Sequence, residues 1–133
     1  MNADAASKEQ ESKHVDLWRI PNILSLEAVH VRHRKPVLFY IKSKPAESRE
    51  TIEFLVKTSE DFPDRALSPA LFVDDYAVTE VSSVEKNAYR FVVPEPDIGR
   101  LKRNAPISIG WAGTRARPVR TKYRFQIQRE EAR

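Results

Sequence analysis

The chain has no cysteine. That excludes a disulfide framework and thiolate-ligated metal sites. It leaves the compartment open, because reducing cytosol and periplasm both accommodate such chains. Glycine is almost as scarce, with three in 133 residues, too few for a glycine-rich phosphate loop. No apolar run is longer than one strand, so nothing reads as a membrane-spanning helix. The opening "MNADAASKEQESKH" is polar and lacks the apolar stretch of a signal peptide. Residues 1–17 therefore read as a disordered leader. A cytoplasmic protein and an exported one with its signal removed both fit that opening. The last scarcity is local: from Ile98 to Gln128 there is no acidic side chain.

That gap makes the charge lopsided. Residues 1–97 hold 13 Lys/Arg against 17 Asp/Glu, a net of −4, and residues 98–133 hold 10 against 2, a net of +8. Such asymmetry points to an anionic partner, unless acidic loops fold back beside the basic segment.

What is abundant is proline, nine in all, together with apolar residues at every second position. Prolines punctuate short strands and oppose long helices. Residues 23–31 read as a strand with a bulge, and "RHRKP" as a turn. "VLFYIK" (37–42) is apolar on both faces, as in a central strand, and "SKPAESRE" reads as a loop. Segments 51–57, 88–93 and 107–112 alternate with period two. "ALFVDD" and "YAVTEVSSV" read as strands joined by Asp74–Asp75. "PEPDIGRLKRNAP" is a crossing loop with a helical turn around Ile98–Leu101. In 119–127, Val119, Tyr123, Phe125 and Ile127 point inward and Arg120, Lys122 and Arg124 outward. The expected core is Phe39, Ile41, Ile52, Phe54, Val56, Tyr89, Phe91, Ile107, Ile109, Trp111, Phe125 and Ile127.

This pattern predicts an all-β fold: an antiparallel β-sandwich of seven to eight short strands, immunoglobulin-like or fibronectin III-like in architecture. A small OB-type β-barrel is the alternative. One sandwich domain spans 18–129, and 130–133 form a C-terminal tail.

Few constellations carry chemistry. His30 and His33, three apart on a strand, face opposite ways beside Arg32, Arg34 and Lys35, so they read as surface histidines and not metal ligands. Asp61, Asp64, Asp74 and Asp75 could meet as loops and take calcium or a sugar, although their spacing is not that of an EF-hand. No nucleophile elbow is present, so the reading is non-catalytic, without cofactor or metal. Trp111, Tyr89 and Phe91 fall in phase with aliphatic neighbours and read as core. Tyr76 is the best exposed aromatic.

The basic segment "TRARPVRTKYRFQIQ" offers the most specific expectation. Arg120, Lys122 and Arg124 project from one face at about 6.6–6.8 Å intervals. Arg115 and Arg117 belong to the preceding turn, and Arg100, Lys102 and Arg103 to the earlier loop. Beside them lies a shelf of small residues, Ser108, Gly110 and Ala112. One role is to guard an edge strand against aggregation. The other is docking onto carboxylates or phosphates, which arginine suits better than lysine does. The expected function is an interaction module binding an acidic macromolecular partner, protein before nucleic acid. Nucleic-acid readers interleave exposed aromatics with their cations. A nucleic-acid-binding barrel is the alternative, and a calcium- or carbohydrate-binding sandwich the third. The sequence leaves the oligomeric state open.

Overall fold

The computed structural model describes residues 19–41, 44–63, 67–113 and 118–133. The leader, Asp64, Arg115 and Arg117 lie outside the described residues. Among the described residues, nine strands form two sheets with one short helix. They are β1 (Ile23–Ile41), β2 (Lys44–Thr58), β3 (Pro69–Val73), β4 (Tyr76–Val78), β5 (Glu80–Glu85), β6 (Ala88–Pro94), α1 (Glu95–Ile98), β7 (Pro106–Trp111), β8 (Val119–Arg124) and β9 (Ile127–Ala132). One sheet has the order β5-β6-β2-β1-β9 and the other β4-β3-β7-β8. The fold is thus an all-β, sandwich-like pair of sheets with no closed barrel, which removes the OB-type alternative.

The alternation places the core as expected. Ile52, Phe54 and Val56 of β2 and Phe91 and Val93 of β6 meet Leu71, Val73, Ile107 and Ile109 of the second sheet, all nearly inaccessible to solvent. Phe54 packs on Phe125 with ring centroids 5.8 Å apart, and Phe62 sits edge-on to both Tyr89 and Trp111. Burying a phenylalanine side chain is worth about 1.5–3 kcal/mol, so this cluster is the main source of stability. Tyr89 packs against it only partly buried.

Two crossings between sheets shape the rest. The "YAVTEVSSV" run is split at Thr79: β4 stays with the second sheet and β5 joins the first. Residues 119–127, expected as one strand, break at Phe125–Gln126. β8 ends the second sheet, and β9 then lies parallel to β1 in the first. Ile127, expected inward, is therefore 42% exposed, and Val119, also expected inward, opens β8 beside a cleft and is 53% exposed. Residues 130–133 are no tail: β9 runs to Ala132, and the amide of Arg133 bonds to Arg32 O.

The largest departure is at β1 and β2. "RHRKP" is not a turn but an irregularity inside one 19-residue strand. Its register against β2 jumps between Arg32↔Glu50 and Val37↔Ser48. "VLFYIK" is not central. Beyond the jump it pairs only with 44–48, and "SKPAESRE" is mostly strand. Phe39 is half-buried, and nothing is described of the Ile41 side chain. The helical turn comes earlier than expected, at Glu95–Ile98. Its Glu95 Oε1 accepts the amides of Arg49 and Glu50, each at 3.0 Å, and its own amide donates to Ser48 Oγ. This ties the base of the β1–β2 extension to the sandwich.

Candidate functional site

β8 is an outer strand of its sheet. Arg120, Lys122 and Arg124 are all exposed, and Thr121 and Tyr123 between them are half-buried. The fold produces this alternation because Thr121 Oγ1 donates to Ile107 O at 2.7 Å, turning residue 121 towards β7. At the far end, Arg124 Nη1 donates to Asn104 O at 3.0 Å, and Asn104 and Phe125 exchange backbone bonds with the same corner. Asn104 adopts φ 67°, a left-handed conformation that asparagine tolerates. This corner carries exposed Lys102 and Arg103 to the Arg124 end of the row. Arg100 is placed differently: its guanidinium lies 5.0 Å from the Tyr76 ring centroid.

The small-residue shelf is only half available. Ser108 stands directly across from Arg120. At Gly110, however, a Cβ would lie 3.3 Å from Pro118 Cα, so Pro118 already covers that position. An open cleft of about 420 Å³ runs between Ile20–Ile23 and Val119–Tyr123. Arg120 and Lys122 border it.

The acids that were candidates for neutralising this row are elsewhere. Apart from Arg19–Glu60, the ion pairs among the described residues gather on the five-stranded sheet. Glu53 takes Arg90 and Arg133, Glu131 takes Arg129 and Arg133, and Glu27 takes Arg129. Glu50 lies beside His30 and Arg32. Among the described residues, Lys102, Arg103, Arg120, Lys122 and Arg124 have no ion pair.

The other sequence candidates have local duties. His30 lies between Glu50 and Glu130, and His33 Nε2 is 2.9 Å from Thr51 Oγ1. Thr51 is fully buried, so this hydroxyl is out of reach of a substrate. Asp61 accepts from the Asn87 amide and from the Tyr89 hydroxyl. Asp74 holds φ 56° in the β3–β4 turn. Among the described residues, no three acidic or histidine side chains are grouped to hold a metal ion. Tyr76 donates to Asp97 Oδ2 at 2.7 Å. Burial first, then that carboxylate, pushes its phenol far above the usual range, against the opposing charge of Arg100.

A second basic set escaped sequence reasoning. Between Arg32 and Glu50 stand six Lys/Arg and two Asp/Glu. Summing charge over residues 1–97 hid them among distant acids.

No protein-family model, curated protein or solved structure matches this chain.

Proposed function

We propose that the chain is a non-catalytic sandwich module that docks onto an acidic protein surface through β8 and the corner before β7. The observation that carries this reading is missing counter-charge. Five exposed cations on neighbouring backbone have no ion pair among the described residues, and Glu27, Glu50, Glu53, Glu130 and Glu131 are paired on the other sheet. Edges guarded against aggregation favour lysine among the charged side chains. Three of these five are arginines, whose planar fork suits paired carboxylate oxygens. The strand orders β1-β2-β6-β5 and β8-β7-β3-β4 agree with A-B-E-D and G-F-C-C′, which supports the finer description immunoglobulin-like. A protein partner is favoured over nucleic acid because Tyr123, the aromatic on β8, is half-buried, with its hydroxyl 3.5 Å from Leu24 O. It offers bases no stacking platform.

The test uses polyglutamate and a single-stranded oligonucleotide as probes. The triple change Arg120→Ala, Lys122→Ala and Arg124→Ala is expected to abolish polyglutamate binding. Stability should move by no more than roughly 0.5 kcal/mol per site, since these are surface positions. Undiminished binding by the triple variant overturns the reading. Oligonucleotide affinity tighter than about 10⁻⁶ M at physiological salt, rising with length until a site is filled, replaces it with the nucleic-acid reading.

A further inference from the structure

We infer that the ribbon made by the end of β1 and the start of β2 is a second interaction surface, and that its partner is a bilayer containing anionic lipid. The inference does not depend on the β8 reading.

The first observation is topological. β9 flanks β1 only as far as Arg34, and β6 flanks β2 only from Thr51. Beyond these points Val37–Ile41 and Lys44–Ser48 pair with each other and, among the described residues, with no third strand. Five residues extend about 16 Å at strand rise. The second observation is what this ribbon exposes. Leu38 is 57% and Tyr40 67% exposed. They are two residues apart on one strand, so they share a face. A two-stranded ribbon is marginal in water without a covered apolar face; Tyr40 borders an open cleft of about 230 Å³ towards Tyr76, Val92 and Pro94, yet among the described residues neither Leu38 nor Tyr40 is more than half covered.

The third observation is charge. Arg34, Lys35, Lys44 and Arg49 are exposed and have no ion pair among the described residues. Of the nearby acids, Glu47 stands opposite Leu38, Glu50 lies beside His30 and Arg32, and Glu95 is held by two backbone amides. Asp97 is held by Tyr76, which leaves Glu47 and, across the cleft from Tyr40, Glu80 to oppose four cations. Exposed aliphatic and tyrosine side chains on a ribbon that also carries exposed Arg34, Lys35, Lys44 and Arg49 match the layered chemistry of a lipid surface. Leucine enters the acyl boundary, tyrosine sits at headgroup level, and cations meet anionic headgroups. A second copy of the chain fits worse, since it would bring the same cations together. Nucleic acid fits worse because Tyr40 is the one exposed aromatic described on the ribbon, and Leu38 has no stacking face.

The test is co-sedimentation of the full chain with vesicles of phosphatidylcholine, with and without phosphatidylserine. Binding is expected only when phosphatidylserine is present and is expected to weaken with salt. The pair Lys35→Glu and Lys44→Glu should reduce it roughly tenfold or more, as expected for two cations near an anionic membrane surface. Leu38→Ser with Tyr40→Ser should reduce it comparably, and both pairs should keep the wild-type melting temperature. The β8 triple variant should bind vesicles normally, which separates this surface from the other. In a Leu38→Trp variant, tryptophan emission should shift to the blue on phosphatidylserine vesicles. Absence of vesicle binding, or binding abolished by the β8 triple and untouched by the ribbon pairs, overturns the inference. So does an unshifted Leu38→Trp emission with bound protein, or an oligonucleotide complex that needs Tyr40 while vesicles are ignored.

Discussion

Tyr76 illustrates how a residue singled out for exposure acquires a structural task. Its hydroxyl is spent on Asp97 and its ring carries Arg100. The fold favours the neutral phenol, so the folded value lies above the unfolded one. Its contribution to stability is therefore complete below the ordinary phenol range near about 10 and is lost as pH rises through the folded value. Tyr89 is raised in the same direction, by burial first. Spectrophotometric alkaline titration should show two tyrosines ionising late, with Tyr76→Phe removing one of them. A late-ionising count unchanged by Tyr76→Phe would show the contact with Asp97 to be absent in solution. Phe54, Phe91, Ile107 and Ile109 were legible from alternation alone, because period two survives any partner choice. Val119 and Ile127 were not. The chain changes sheets before Ile127, and Val119, in phase with half-buried Thr121 and Tyr123, begins an outer strand beside an open cleft; phase carries no information about either.

Among the elements, β2 depends most on groups far away in sequence. Its Glu53 faces away from the core, yet its side chain is only 4% exposed. Arg133 donates to both of its oxygens, at 3.1 and 2.9 Å. Arg90 Nε lies 3.0 Å away but is not aligned for a hydrogen bond. The pair with Arg133 is thus the directional one, and Arg90 contributes mainly charge. The arginines are each about a third exposed and can turn to water if the acid goes, whereas the acid is trapped. Glu53→Leu is expected to be close to neutral. Arg90→Ala with Arg133→Ala should cost about 3–5 kcal/mol, the range for a buried charge left without its partners. Chemical denaturation of both variants checks the order, and the reverse order would place the network on the surface. The β1 irregularity was illegible for a related reason. Pro36 within four polar residues reads as a turn, since proline breaks a sheet ladder. Here it falls inside the register jump, where Pro36 has no paired partner on β2, so its missing N–H breaks no ladder bond.

For the whole molecule, the parallel pairing of β9 with β1 matters most. Ala28 meets Ile127 across nearly the full described length. Sheets dominated by such distant pairings fold in milliseconds to seconds, because loop closure precedes the contacts that repay it. Stopped-flow refolding should fall in that range, and a main phase faster than about a millisecond would contradict this topology. The same pairing explains what the sequence could and could not disclose about the candidate site. The cation row on β8 was readable as alternation. Its lack of counter-charge was not, because it depends on β9 leaving for the other sheet and taking Glu130 and Glu131 with it.

The unbroken course of β1 also has a mechanical side. One strand of 19 residues, about 60 Å at strand rise, serves both the ribbon and the interior of the five-stranded sheet, between β2 and β9. Its hydrogen bonds to antiparallel β2 lie perpendicular to the strand, and those to parallel β9 slant across it. A pull on the tip along the axis of β1 therefore loads its bonds to β2 and β9 in shear, all at once. A sideways pull opens the ribbon one pair at a time. An attachment at the tip would hold firmly against tension along the strand and release readily when peeled.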